Sequence, residues 1–153
     1  MPLPAGCANR LKTQLDCLSA LLAGTADGSL ERRPIADKWS ARENLAHLAR
    51  YHEVSRERLQ RILSEDRPAL GRYRAEDDPE WPKWQALPTA EIMSRLASLR
   101  AKLLTEVDRL SDDEVKRTGR HPRFGEMTVA QWLEFFLLHE AHHLFVVMQR
   151  VRE

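Results

Sequence analysis

Apolar residues in this chain recur every three to four positions in four separate stretches, and none sustains the period-two alternation of a half-buried strand. In the first, Leu11, Leu15, Leu18 and Leu22 stack on one helical face, and Gly24 supplies a left-handed stop. The second runs from Ser40 to about Ser64. It opens on Ser40-Ala-Arg-Glu43, where hydroxyl and carboxylate can satisfy each other's backbone N–H groups, and carries Leu45, Leu48, Leu59 and Ile62. The third begins near Thr89 and holds Ile92, Leu96, Leu99, Leu103, Val107 and Leu110. Ser111-Asp-Asp-Glu114 reads as the cap of a short extra turn. The fourth starts at the capping box Thr128-Val-Ala-Gln131 and reaches about Arg150, apolar on nearly every side. Four such segments predict an all-α protein, a four-helix bundle.

With 153 residues, the chain is sized for one domain spanning residues 1–153. Two connections are long for a bundle: residues 25–38, and residues 66–88 with Pro68, Pro79, Pro82 and Pro88 around Trp81 and Trp84. Loops of that length can roof a site, although the tryptophans read first as pins that hold the loop to the bundle.

Composition narrows the function. Lys and Arg number 24 against 23 Asp and Glu, so the net charge of +1 offers no bulk attraction to nucleic acid or an anionic membrane. The arginines at 72, 74, 117, 120 and 123 read as solvated loop charges. No segment approaches the roughly 20 apolar residues that span a bilayer, and the start of the chain lacks the basic and apolar regions of a signal peptide, so a cytoplasmic protein is expected. Cys7 and Cys17 are too few and too close for a disulfide framework.

Three of the six histidines crowd into His139-Glu-Ala-His-His143 on the fourth helix. Positions four apart on a helix differ by about 40° and one turn of rise, so His139 and His143 can aim neighbouring imidazoles at one point. Trp132, Phe136 and Val146 share that face, which makes it an inward one, whereas His142 points away. Two ligands on one helix hold a catalytic ion poorly, and zinc sites commonly recruit a third from elsewhere. The second helix offers His47 and His52, between which periodicity does not choose. His139-Glu-Ala-His-His143 has the spacing of the HExxH proteases, but those enzymes use a different helix context with a further ligand downstream, and none follows His143 in the ten remaining residues.

Three stretches together are similar to the DinB/YfiT-like superfamily of small helical bundles. Lys38-Trp-Ser-Ala-Arg-Glu-Asn-Leu-Ala-His47-Leu resembles that family's entry into the second helix. His121-Pro-Arg-Phe-Gly125-Glu-Met-Thr128 resembles its lead-in to the last helix, and His139-Glu-Ala-His-His143-Leu is the third element. The resemblance spans essentially the whole chain. It implies an up-down-down-up bundle holding a divalent metal, most often zinc or nickel, on His47, His139 and His143. That choice resolves the tie between His47 and His52. One departure is Val146, where many members carry glutamine three residues after the last ligand.

An ion on three neutral imidazoles can activate water or a thiol for attack on a small electrophile, and the resemblance implies transferase-like or hydrolase-like chemistry of this kind, with a small-molecule substrate and a low-molecular-weight thiol as candidate partners. A metal-binding bundle without turnover, or a dimerisation module, is the competing expectation, and a homodimer is expected in either case. No general base stands out among Glu43, Tyr51, Glu53 and His142. Glu43 reads as a helix cap and Glu53 as part of a charged solvent face. His121, Trp39 and Trp132 read as structural before chemical.

Overall fold

The computed structural model describes residues 2–153. Its elements in chain order are α1 (Ala5–Thr13), a 3₁₀ turn, α2 (Cys17–Leu22), α3 (Asp27–Glu31), α4 (Ala41–Ser64), a second 3₁₀ turn, α5 (Trp81–Gln85), α6 (Thr89–Asp108), α7 (Asp112–Lys116), β1 (Thr118–His121), β2 (Gly125–Thr128) and α8 (Val129–Arg152). The first bundle rod is α1 and α2 joined through the 3₁₀ turn Gln14–Asp16. It stops where Gly24 adopts φ +71°, the left-handed conformation that favours glycine. Reciprocal capping boxes start three helices as the sequence requires: Ser40 with Glu43 on α4, Ser111 with Glu114 on α7, and Thr128 with Gln131 on α8.

Side-chain pairs between the rods fix their directions. Along α4 and α6 the partners climb together, from Arg42 on the carbonyls of Gln85 and Leu87, through His52 with Arg100, to Arg56 with Glu106, so these helices are parallel. Between α4 and α8 the numbers run in opposite senses, Asn44 to His143 and His47 to His139, so that pair is antiparallel. Arg10 with Glu134 and Gln14 with Glu140 make the first rod parallel to α8. The bundle is therefore up-down-down-up, and the long connection from α4 to α6 exists to carry the chain back along the bundle.

Two contiguous apolar clusters fill the interior. One gathers Leu11, Ile62, Leu103, Val107, Val129 and Leu137 at one end, and the other gathers Leu45, Ala49, Ile92, Leu96 and Val147 at the opposite end. Between them sits a buried polar network. Arg100 donates to the carboxylate of Glu140, to His52 Nε2 at 3.1 Å and to the Leu11 carbonyl at 2.6 Å, while Gln14 donates to the other Glu140 oxygen at 2.9 Å. Glu140 and His52 are fully buried. Every member has a partner, which is the condition for carrying charge in a core.

The structure corrects the expectation of a chain without strands. β1 and β2 pair antiparallel from Thr118 opposite Thr128 to His121 opposite Gly125. Each is four residues long, too short for alternation to register, and Gly125 at φ +74° closes the turn after Pro122-Arg-Phe124. The long loop joins this hairpin, since Leu70 N–H donates to Arg120 and Arg120 N–H donates to Pro68, both at 2.9 Å. Within that loop α5 buries Trp81 and Trp84 in the second cluster, as pins. No helix of the described chain is long and apolar enough to cross a membrane. On α8, Leu138, Phe145 and Met148 are left exposed.

Candidate metal centre

Antiparallel packing of α4 on α8 sets His47 opposite the pair His139 and His143, which lie one turn apart. The three offer nitrogen atoms all within 4.8 Å of one another. His47 Nε2 and His139 Nε2 are 3.0 Å apart, and the ring centroids of His47 and His143 are 4.4 Å apart. His47 is buried and the other two are half-buried.

The hydrogen bonds decide which nitrogens are free. Asn44 Nδ2 donates to the Ser40 carbonyl at 2.8 Å, which turns Asn44 Oδ1 toward His143 Nδ1 at 2.8 Å. An amide oxygen only accepts, so His143 carries its proton on Nδ1 and presents a lone pair at Nε2. His47 Nδ1 and His139 Nδ1 are buried without partners. If both of those carry protons, two Nε2 lone pairs face each other across 3.0 Å and repel; if one Nε2 is protonated instead, a buried bare acceptor is left behind. A cation between the Nε2 atoms removes the repulsion. Tetrahedral zinc with Zn–N bonds of about 2.1 Å would hold two ligand nitrogens about 3.4 Å apart, a separation that His47 and His139 would reach by a few tenths of an ångström of side-chain adjustment. The residues thus fit a divalent ion.

Protonation does not compete near neutral pH. Burial pushes His47 down to about 4. Burial, then repulsion from the neighbouring imidazoles, takes His143 to about 3 and His139 lower for the same reasons. All three rings are neutral at pH 7, the state a metal requires.

An open cavity of about 950 Å³ lies over the triad. Its aromatic wall comes from Trp39, Tyr51, Tyr73, Phe124 and Phe135, and its polar wall from Arg58, Arg72, Arg74, Glu76, His121 and Arg123. Tyr73 lies 5.9 Å from His47 in a stacked arrangement and donates to Asp78, which Arg50 also holds at 2.6 Å. That network fastens the long loop above the imidazoles.

The structure separates the residues singled out in the sequence. His52 is elsewhere, in the core network, donating from Nδ1 to the Leu48 carbonyl at 2.8 Å. Glu140 is paired with Arg100 and faces away from the cavity. Glu43 caps α4 and pairs with Arg33, Glu53 pairs with Arg50, and His142 is exposed beside His143, so none of these three lines the cavity. Tyr51 does. Trp132 belongs to the core, its Nε1–H donating to the Gly119 carbonyl at 3.2 Å, whereas Trp39, read as structural, packs 5.0 Å from His47 on the cavity side. His121 orders the hairpin turn and Arg72, Arg74 and Arg123 are exposed on loops, as read from the sequence, and all four also line the cavity. Asn44 escaped notice, although its place one turn before His47 was the available signal.

Comparison with known proteins gives the family and supports the fold. The model of the DinB superfamily matches residues 10–146. The chain belongs to the DinB superfamily. Among its relatives is the uncharacterized protein YuaE of Bacillus subtilis, 28% identical over 80% of this chain and 83% of that one. Another, from Oceanobacillus iheyensis, bears the name "Putative metal-dependent hydrolase" and is 27% identical over 69% of this chain and 61% of its own length. A Bacillus cereus relative of the same name is 26% identical over 69% and 60%. This chain thus spans about three fifths of the relatives that carry the hydrolase name. Among solved structures, YfiT from Bacillus subtilis, described as "a probable metal-dependent hydrolase with an unusual four-helix bundle topology", superposes with TM-score 0.79 over 96% of this chain and 85% of that one at 20% identity. At that identity the likeness is one of fold.

Proposed function

We propose that this DinB-superfamily protein binds one divalent ion through Nε2 of His47, His139 and His143 and uses it in the hydrolysis of a small electrophilic substrate. The observation that carries the reading is the convergence of three neutral imidazoles at the floor of a large open cavity. The names of the relatives favour hydrolysis, and the same site suits attack by a thiol as well. When bound, such an ion supplies Lewis acidity that makes water or a thiol nucleophilic near neutral pH. Zinc and nickel are both at home on an all-imidazole set.

The chain's own residues complete the site. Tyr51 accepts a hydrogen bond from Arg58 at 2.9 Å, and burial raises its pKa, so it keeps its O–H to donate toward a substrate oxygen. Glu76 is the carboxylate in the cavity lining and is assigned as proton acceptor. Trp39, Tyr73 and Trp81 shield the imidazole cluster on the loop side.

The test is elemental analysis of protein prepared without an affinity tag, beside the His139→Ala variant. About one equivalent of metal in the parent and its loss in the variant are expected; equal contents in both would remove the proposal. A panel of esters, amides and thiol-plus-electrophile pairs then separates hydrolase from transferase, and a loaded protein inert to the whole panel would leave a metal-binding bundle without turnover.

A further inference from the structure

Arg58, Arg72, Arg74 and Arg123 line the cavity together with a single carboxylate, that of Glu76. Arg74 is matched to Asp77, as Arg10, Arg50, Arg56 and Arg100 elsewhere are matched to carboxylates. Arg58, Arg72 and Arg123 all line the cavity, and none forms an ion pair among the described residues. Arg58 is the informative one. It is buried, and its guanidinium is held by donation to Tyr51 Oη at 2.9 Å and to the Gly71 carbonyl at 2.7 Å, above the Trp132 ring. Both partners are neutral, so Arg58 sets a fixed positive charge in the cavity wall with no carboxylate bonded to it. A buried cation of this kind calls for an anion.

His121 adds a neutral donor to the same end. Its Nδ1 accepts from the backbone N–H groups of Arg123 at 3.1 Å and Phe124 at 3.2 Å, which leaves the proton on Nε2. That Nε2–H has no partner among the described residues. Burial, followed by the charges of Arg58, Arg123 and Arg72, which share the cavity lining with it, holds the ring below the ordinary histidine range. Beside them Phe124 is 54% exposed at the hairpin tip, an apolar surface at the rim of a polar pocket.

We propose that Arg58, Arg72, Arg123 and the His121 Nε2–H bind the carboxylate or phosphate of an anionic small-molecule substrate, whose apolar body lies against Phe124 and whose reactive end faces His47, His139 and His143. Guanidinium groups match both oxyanions with paired N–H donors, so the shared chemistry is the oxyanion itself. The assignment rests on the cavity being the substrate site proposed above, and its test distinguishes failure of one from failure of the other.

The full-length protein, metal-free and zinc-loaded, is titrated calorimetrically with benzoate, phenyl phosphate and the neutral benzamide. At least about tenfold tighter binding of one charged probe over benzamide is expected in the metal-free protein, where coordination to an ion cannot contribute. The double variant Arg72→Gln/Arg123→Gln changes only exposed side chains and is expected to lose about tenfold of that affinity while keeping its circular dichroism and zinc uptake. The ratio of benzoate to phenyl phosphate affinity assigns the anion class. Indifference to probe charge, or full anion affinity in the double variant, overturns the proposal even if zinc binds as expected. Arginine-dependent anion binding in a protein that takes up no zinc upholds it and removes the metal reading instead.

Discussion

Asn44 Oδ1 and His143 Nδ1 lie 2.8 Å apart across the seam between α4 and α8, so a residue of one helix fixes the tautomer of an imidazole on the other. Such outer partners set ring orientation and basicity. Asn44→Ala is expected to weaken zinc binding by about 10- to 100-fold, and Asn44→Asp, which keeps an accepting oxygen, to retain most of the affinity. Competition against a chelating dye at pH 7 measures both. Equal affinity in Asn44→Ala and the parent would show that His143 needs no such orientation.

Glu140 sits beside a histidine as a metalloprotease base would, yet its carboxylate is spent on Arg100 and Gln14. Arg100→Met therefore strands a buried carboxylate and is expected to cost on the order of 3–5 kcal/mol in urea unfolding. Glu140→Gln is expected to retain metal content and turnover, whereas Glu76→Gln is expected to lower kcat and retain metal content. The reverse pattern in the two glutamate variants would return Glu140 to the chemistry.

Acid is expected to destabilise the fold through His52. Burial and, after it, the Arg100 guanidinium depress its pKa to about 3. The unfolded chain takes up a proton near pH 6.5 and the folded one does not, so stability is full above that value, falls as pH drops, and finishes falling near pH 3. At pH 4.5 the loss from this one group is on the order of 2–3 kcal/mol. Urea unfolding of His52→Gln should give a shallower dependence on pH between 7.5 and 4.5 than the parent, with the difference approaching one proton. Parallel curves would show that His52 is charged in the folded protein.

Gly119 lets the hairpin lie flat on the bundle. A Cβ there would meet Ile62 Cγ1 at 2.8 Å and Leu70 Cδ1 at 2.9 Å. Gly119→Ala is expected to lower stability by about 1–3 kcal/mol, read from the shift in denaturant midpoint. A midpoint unchanged from the parent would mean that Ile62 and Leu70 repack freely.

Much of this architecture can be read from spacing alone. The four rods, the capping boxes that start α4, α7 and α8, and the stop at Gly24 follow from local rules, and the structure agrees because each rule acts within a turn of helix. The triad needed more. Spacing joins His139 to His143, but only the antiparallel packing of α4 on α8 distinguishes His47 from His52, which are five residues apart and face different neighbours. Resemblance to a family supplied that long-range fact. The hairpin, the cavity role of Arg58 and His121, and the partnership of Asn44 depend on where the long loop returns, and no periodicity within a segment encodes that.

The division of labour between rods and loops has a further consequence. The imidazoles are borne by the two longest helices, locked by core packing at both ends, while Arg72, Tyr73, Arg123 and Phe124 belong to the loop and the hairpin tip. Mutational drift in the tip and the loop can therefore exchange one guest molecule for another without disturbing the imidazole geometry beneath, so a single scaffold can diversify its chemistry by revising its rim.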